Sequence, residues 1–163
     1  ARINMIYEGT NTIQSLDLLG RKVLGNNGAT LKKFGKLVGA LVAEEGVNEK
    51  MAEFITPIAV LGEQITKFTT EIGFKGFQNA DEVGAAAVDY LRVAGHLVFG
   101  YFFARMAQVA LREIAAGNTD PFYPAKLQTA RFYFAKLFPE TATLMRTARA
   151  GSKVLMDTDL ALA

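Results

Sequence analysis

The residues best suited to chemistry stand together near the start of the chain, in Tyr7-Glu8-Gly9-Thr10-Asn11-Thr12-Ile13-Gln14. Here one carboxylate precedes a glycine and a run of short hydroxyl and amide side chains. Glu8 could act as a catalytic base. It could equally be a surface carboxylate ahead of a helix, favoured there by the positive N-terminal end of the helix. Elsewhere the reactive inventory is thin. His96 is the only histidine and there is no cysteine, which leaves no thiol nucleophile, disulfide or Cys/His zinc cluster. No phosphate loop, Rossmann glycine fingerprint or H-E-x-x-H zinc motif occurs. His96 lies among apolar residues with no second ligand nearby and reads as a packed or surface histidine.

The elements that position these residues follow from composition and periodicity. Half of the 163 residues are hydrophobic and 21% are charged, enough apolar material for a core in one or two domains. The formal charge is only +2, and no Lys/Arg block exceeds two residues, so a nucleic-acid partner is not expected. The first residues lack a basic segment followed by an apolar one. The most apolar stretch, Ala94 to Ala104, is interrupted by His96 and two glycines. Neither feature suits export or a membrane span, and the absence of cysteine suits a reducing, cytoplasmic setting.

Asn11 and Gln14 are spaced to cap a helix over about 12–24, stopped at Gly25-Asn26-Asn27-Gly28. Thr30 opens a second helix to about Glu45, with Leu31, Phe34, Leu37, Val38, Leu41 and Val42 as its apolar stripe. Asn48 opens a third, on which Met51, Phe54, Ile55, Ile58, Leu61, Ile65, Phe68 and Ile72 advance by threes and fours. Pro57 should kink that helix without ending it, Glu63 and Lys67 should pair on its wet face, and a loop is expected over 73–79. Gly35 and Gly39 have the spacing that permits close helix packing.

The fourth helix, from Asp81 to about Ala116, is the longest. Its polar residues change side: Asp89, Arg92 and His96 project one way, Arg105, Gln108 and Arg112 roughly the other. That change predicts a helix passing through the bundle centre, with Val98, Phe99, Phe102 and Phe103 enclosed on all sides. A fifth helix follows Pro121 and Pro124 and ends before Pro139, and a sixth runs from about Glu140 to Met156. Strand-period alternation is absent, so the expected fold is all-α, an antiparallel bundle of five to six helices preceded by a short catalytic-loop segment.

ARINMIYEGTNTIQ resembles the segment of flavin-dependent acyl-CoA dehydrogenases that holds their catalytic glutamate, usually seen as IYEGTxxIQ. The family's pattern is matched at Arg2, Ile6, Tyr7, Glu8, Gly9, Thr10, Ile13 and Gln14. The resemblance implies that Glu8 removes the α-proton of an acyl thioester while hydride leaves the β-carbon for the flavin. Tyr7, Glu8 and Gly9 would contact substrate, Gly9 letting the backbone come close. Thr10, Thr12 and Gln14 would border FAD in the complete protein. Thr12 and Ser15 depart from the usual residues, which puts the flavin contacts made there in question.

IQSLDLLGRKVL looks like the larger bacterial subgroup, which carries an extra helical domain after the usual chain end. Residues 1–27 would then close the dehydrogenase's helical domain, and 28–163 would form the appended bundle. Because the chain starts at Ala1 within the motif, an upstream portion is expected to be absent. No flavin-binding domain or acyl pocket has a counterpart here, so no cofactor and no activity are expected of these residues alone. The complete enzyme would take acyl-CoA, hand electrons to an acceptor flavoprotein and form a homo-oligomer. The competing reading is a non-catalytic helical interaction or oligomerisation module.

Overall fold

The computed structural model describes residues 10–156, and all its regular elements are helical. Helix α1 spans Asn11–Leu16 and continues as a π-helical turn, Asp17–Val23, and a 3₁₀ turn, Leu24–Asn26. Then come α2 (Ala29–Glu45), α3 (Ala52–Gln78), α4 (Asp81–Ala115), α5 (Phe122–Phe132), α6 (Glu140–Ala148) and the short α7 (Lys153–Met156). A π-helical turn, Tyr133–Leu137, prolongs α5.

The stripe expected on α3 is the heart of the core, with all eight residues from Met51 to Ile72 buried. Its partner α4 runs antiparallel to it: Phe68 stacks on Tyr90 at one end, and Ile58 meets Gly100 at the other. Between them the Tyr90 hydroxyl and Thr69 share a buried hydrogen bond of 2.7 Å, which satisfies two polar groups that would otherwise be costly. Helix α6 also lies antiparallel to α4, with Glu140 beside His96 and Thr147 bonded to Asp89. Helix α2 runs parallel to it, joined at Phe34–Tyr101 and Glu45–Gln108. With α1, α3, α5 and α6 all packed on it, α4 is central as expected.

Its aromatic residues are not enclosed, however. Phe99 and Phe102 are 58% and 60% exposed, Val98 is exposed and Phe103 half-buried. The buried stripe of α4 is Ala86, Tyr90, Val93, Leu97, Gly100, Ala104 and Ala107, a row of mostly small residues at helical spacing. Small side chains let neighbouring backbones approach, and the two polar sets flank that stripe at opposite ends. This leaves the opposite face, with Val98, Phe102 and Val109, turned outward.

Close approach also explains where the expected helix bounds fail. The loop foreseen over 73–79 is helix as far as Gln78, because Gly73 and Gly76 are contact points there. A Cβ on Gly76 would stand 2.5 Å from Val83 Cγ2, and one on Gly73 3.1 Å from Leu24 Cδ2. Pro57, in the second turn, leaves α3 unbroken. Pro124 sits inside the first turn of α5, where backbone N–H groups lack helical partners anyway.

The caps differ as well. Asn48 opens the 3₁₀ turn ahead of α3 as foreseen, its Oδ1 accepting from the Lys50 N–H. Asn11 is already inside α1, and no side chain caps that helix. Thr30 accepts from Asn26 Nδ2, and α2 starts at Ala29 after two left-handed residues, Asn27 and Gly28. Leu37, placed on the buried stripe of α2 by its spacing, is 53% exposed. Helix α6 stops at Ala148, short of Met156, because Gly151 turns at φ +78°. A carboxylate oxygen of Glu82 lies 2.9 Å from where a Cβ of Gly151 would stand.

Candidate functional site

Tyr7, Glu8 and Gly9 lie outside the described residues. The residues that follow them in the chain, from Thr10, are described. Ser15, Leu19 and Val23 recur every four residues and are buried, a spacing that the wide π-helical turn keeps on one side. Through them α1 and its continuation dock on α4. Ser15 is fully buried, and its hydroxyl donates to the Thr12 carbonyl at 2.7 Å. The departure noted at this position therefore serves packing, since a long charged side chain has no room at a fully buried place. Asp17 pairs with Arg21 and Lys22, and the Lys22 hydrogen bond leads in holding its carboxyl below the ordinary range.

Thr10, Thr12 and Gln14, the expected flavin contacts, are brought together in the first turn of α1. Gln14 N–H donates to the Thr10 carbonyl at 2.8 Å, and the side chains of Thr12 and Gln14 are exposed. Exposed hydroxyl and amide groups at an uncapped helix start fit the polar edge of a flavin. Nothing in the described residues encloses a ring system beside them, so they fit an edge contact and no more. Among the described residues, no three His, Asp or Glu side chains converge to hold a metal ion.

A second polar cluster was not foreseen. His96 Nδ1 lies 2.9 Å from the Tyr133 hydroxyl, and Nε2 lies 3.1 Å from Glu140 Oε2. Arg92 also pairs with Glu140. Tyr133 is 3.3 Å from the carbonyl oxygen of His96 as well. If the phenol donates to Nδ1, a neutral ring can still donate from Nε2 to the carboxylate. If the phenol donates to the carbonyl, both ring nitrogens must carry hydrogen. Hydrogen bonding from His96, helped by the charges of Arg92 and His96, holds the Glu140 carboxyl below its ordinary value. Burial pushes the Tyr133 phenol up to about 12.

The rings of Phe99, Phe103, Phe134 and Phe138 surround Tyr133. The cluster ties α4 to α6 and to the turn after α5, so His96 is a satisfied structural residue, as its apolar surroundings suggested. Its partners stand 37 and 44 residues away, too far for local spacing to reveal them.

Residues 29–159 match the family described as acetyl-CoA dehydrogenase C-terminal like. The chain is 31% identical over 159 residues to 3-methylmercaptopropionyl-CoA dehydrogenase of Ruegeria pomeroyi, covering 95% of this chain and 27% of that enzyme. It is 26% identical over 149 residues to the broad-specificity linear acyl-CoA dehydrogenase FadE5 of Mycobacterium tuberculosis, with 85% and 24% covered. A butyryl-CoA dehydrogenase of Syntrophomonas wolfei is 27% identical over 146 residues, with 85% and 23% covered. The chain thus spans about a quarter of the length of the curated relatives it matches.

Proposed function

Because this chain belongs to the acetyl-CoA dehydrogenase C-terminal-like family, we propose that it is the C-terminal part of an acyl-CoA dehydrogenase. In that complete enzyme Glu8 is the base for α,β-dehydrogenation of an acyl-CoA thioester. The observation that carries the reading is the continuity of two signals. The glutamate motif, Tyr7 to Gln14, runs directly into α1, and α1 is fastened to the bundle that the family match covers. The family match beginning at residue 29, next to the left-handed turn at Asn27 and Gly28, supports a division between 1–27 and 28–163.

The chemistry assigned to these residues is limited. Glu8 would take the α-proton, and its backbone N–H would hold the thioester oxygen as negative charge develops there. Tyr7 and Gly9 flank the substrate, while Thr10, Thr12 and Gln14 border the cofactor edge. FAD, when bound, supplies the hydride acceptor. The electron-accepting flavoprotein, the homo-oligomer and a cytoplasmic setting belong to the same proposal. Among the described residues no helix is long and apolar enough to cross a membrane.

The test is spectroscopic. A polypeptide of the relatives' length containing this segment should be yellow and should bleach when an acyl-CoA is added without air. The 163 residues alone should elute colourless from gel filtration. Flavin retained by the 163 residues alone would sink the division of labour proposed here.

A further inference from the structure

Gly35 and Gly39 have the spacing that lets helices approach closely, yet neither serves that purpose inside this bundle. A Cβ built on either would meet no atom within 4 Å, and both residues are exposed. They line an open groove of about 690 Å³ between α2 and α3, whose floor includes Val38, Val42, Ala59 and Ile65. The ammonium groups of Lys32, Lys36 and Lys67 stand along it without an ion pair or hydrogen bond among the described residues, and Glu63 is its one acidic residue. The expected Glu63–Lys67 pair is not formed.

We propose that this groove receives a helix from elsewhere in the same polypeptide, one whose apolar face is bordered by Asp or Glu. The inference rests on the reading of this chain as part of a longer dehydrogenase. Bare backbone at Gly35 and Gly39 admits a helix more closely than larger side chains would. Three unpaired ammonium groups beside an apolar floor attract an acidic border. They also disfavour a second copy of this chain, which would bring the same lysines. The relative from Ruegeria has about three-quarters of its length outside the 27% that this chain spans, ample to supply the helix.

The chain has no cysteine, so a single introduced thiol reports on the groove. Ala59→Cys, on the floor, should react with a maleimide at least tenfold more slowly in the longer polypeptide than in the 163-residue chain. Val47→Cys, at a site 96% exposed, should react equally in both. Lys32→Glu, Lys36→Glu and Lys67→Glu together should restore the fast rate at position 59, as should Gly39→Leu by filling the groove. Equal rates at position 59 in the two chains would overturn the proposal. So would protection that survives the three charge reversals, or protection that disappears on dilution, which would identify a second copy as the occupant. Flavin content and turnover, measured on the same samples, report separately on the dehydrogenase assignment. A yellow, active and unprotected polypeptide defeats only the groove inference.

Discussion

Two glycines on α4, five residues apart, should respond to alanine in opposite directions. At Gly95 a Cβ meets nothing within 4 Å, so the substitution should add only helix propensity, about 0.8–1 kcal/mol of stability. At Gly100 the same methyl would stand 2.8 Å from Phe138 Cε2 and 3.0 Å from Ile58 Cγ2. The Phe138 ring could swing, but it is buried against Tyr133 and Phe134, and Ile58 is fully buried on α3. Overpacking of this kind costs about 1–3 kcal/mol, which cancels or exceeds the propensity gain. Because propensity is common to both sites, the difference between the variants isolates the packing cost, about 1–3 kcal/mol. Urea denaturation with an unchanged slope is the assay. If Gly100→Ala were as stable as Gly95→Ala to within about 0.5 kcal/mol, α3 and the turn after α5 would not close on α4 as described.

Phe68→Ala should cost about 3–5 kcal/mol, since that ring is fully buried against Tyr90. Phe102→Ala, on the open face of α4, should cost no more than about 1 kcal/mol, and a large loss there in the same denaturation assay would restore the enclosed reading of that face. Hydrogen bonds from the Ser152 hydroxyl, at 2.6 Å, and then from its N–H, at 2.9 Å, hold the Glu82 carboxyl below its ordinary value of 4.5. A depressed folded value means that this stabilisation is complete above the unfolded value and is lost as pH falls from about 4.5 through the lower folded one. Protection of the Ser152 amide, taken relative to the intrinsic exchange rate at each pH, should therefore fall on acidification through that window, and Glu82→Gln should flatten the response. An unchanged pH profile in Glu82→Gln would contradict the contact.

The all-helical architecture and the buried stripe from Met51 to Ile72 were legible because apolar spacing at 3.6 residues dictates which side of a helix faces inward. The centrality of α4 was legible too, from the change of polar side between His96 and Arg105. The face it buries was not, because contact through Gly100, Ala104 and Ala107 depends on backbone proximity, to which hydrophobicity is nearly blind. For the same reason Gly73 and Gly76 looked like a loop and are packing contacts. Local spacing likewise joined Glu63 to Lys67, a pair that does not form, and it could not show Glu71 with Arg149 or Glu53 with Arg131, which meet from 78 residues apart. At the site, the residue types of Tyr7 to Gln14 left Glu8 undecided between base and helix entry, and it is the density of the family motif that favours the base. The burial of Ser15, where α1 docks on the bundle, has no local signature at all.

The central claim is that Glu8 is the base, and one substitution tests it. Glu8→Gln keeps the size and shape of the side chain but cannot accept the α-proton. In the complete, flavin-loaded polypeptide, the account predicts that acyl-CoA no longer bleaches the flavin, while the absorption bands of the bound cofactor remain. Bleaching at close to the unsubstituted rate, with flavin still bound, would contradict it.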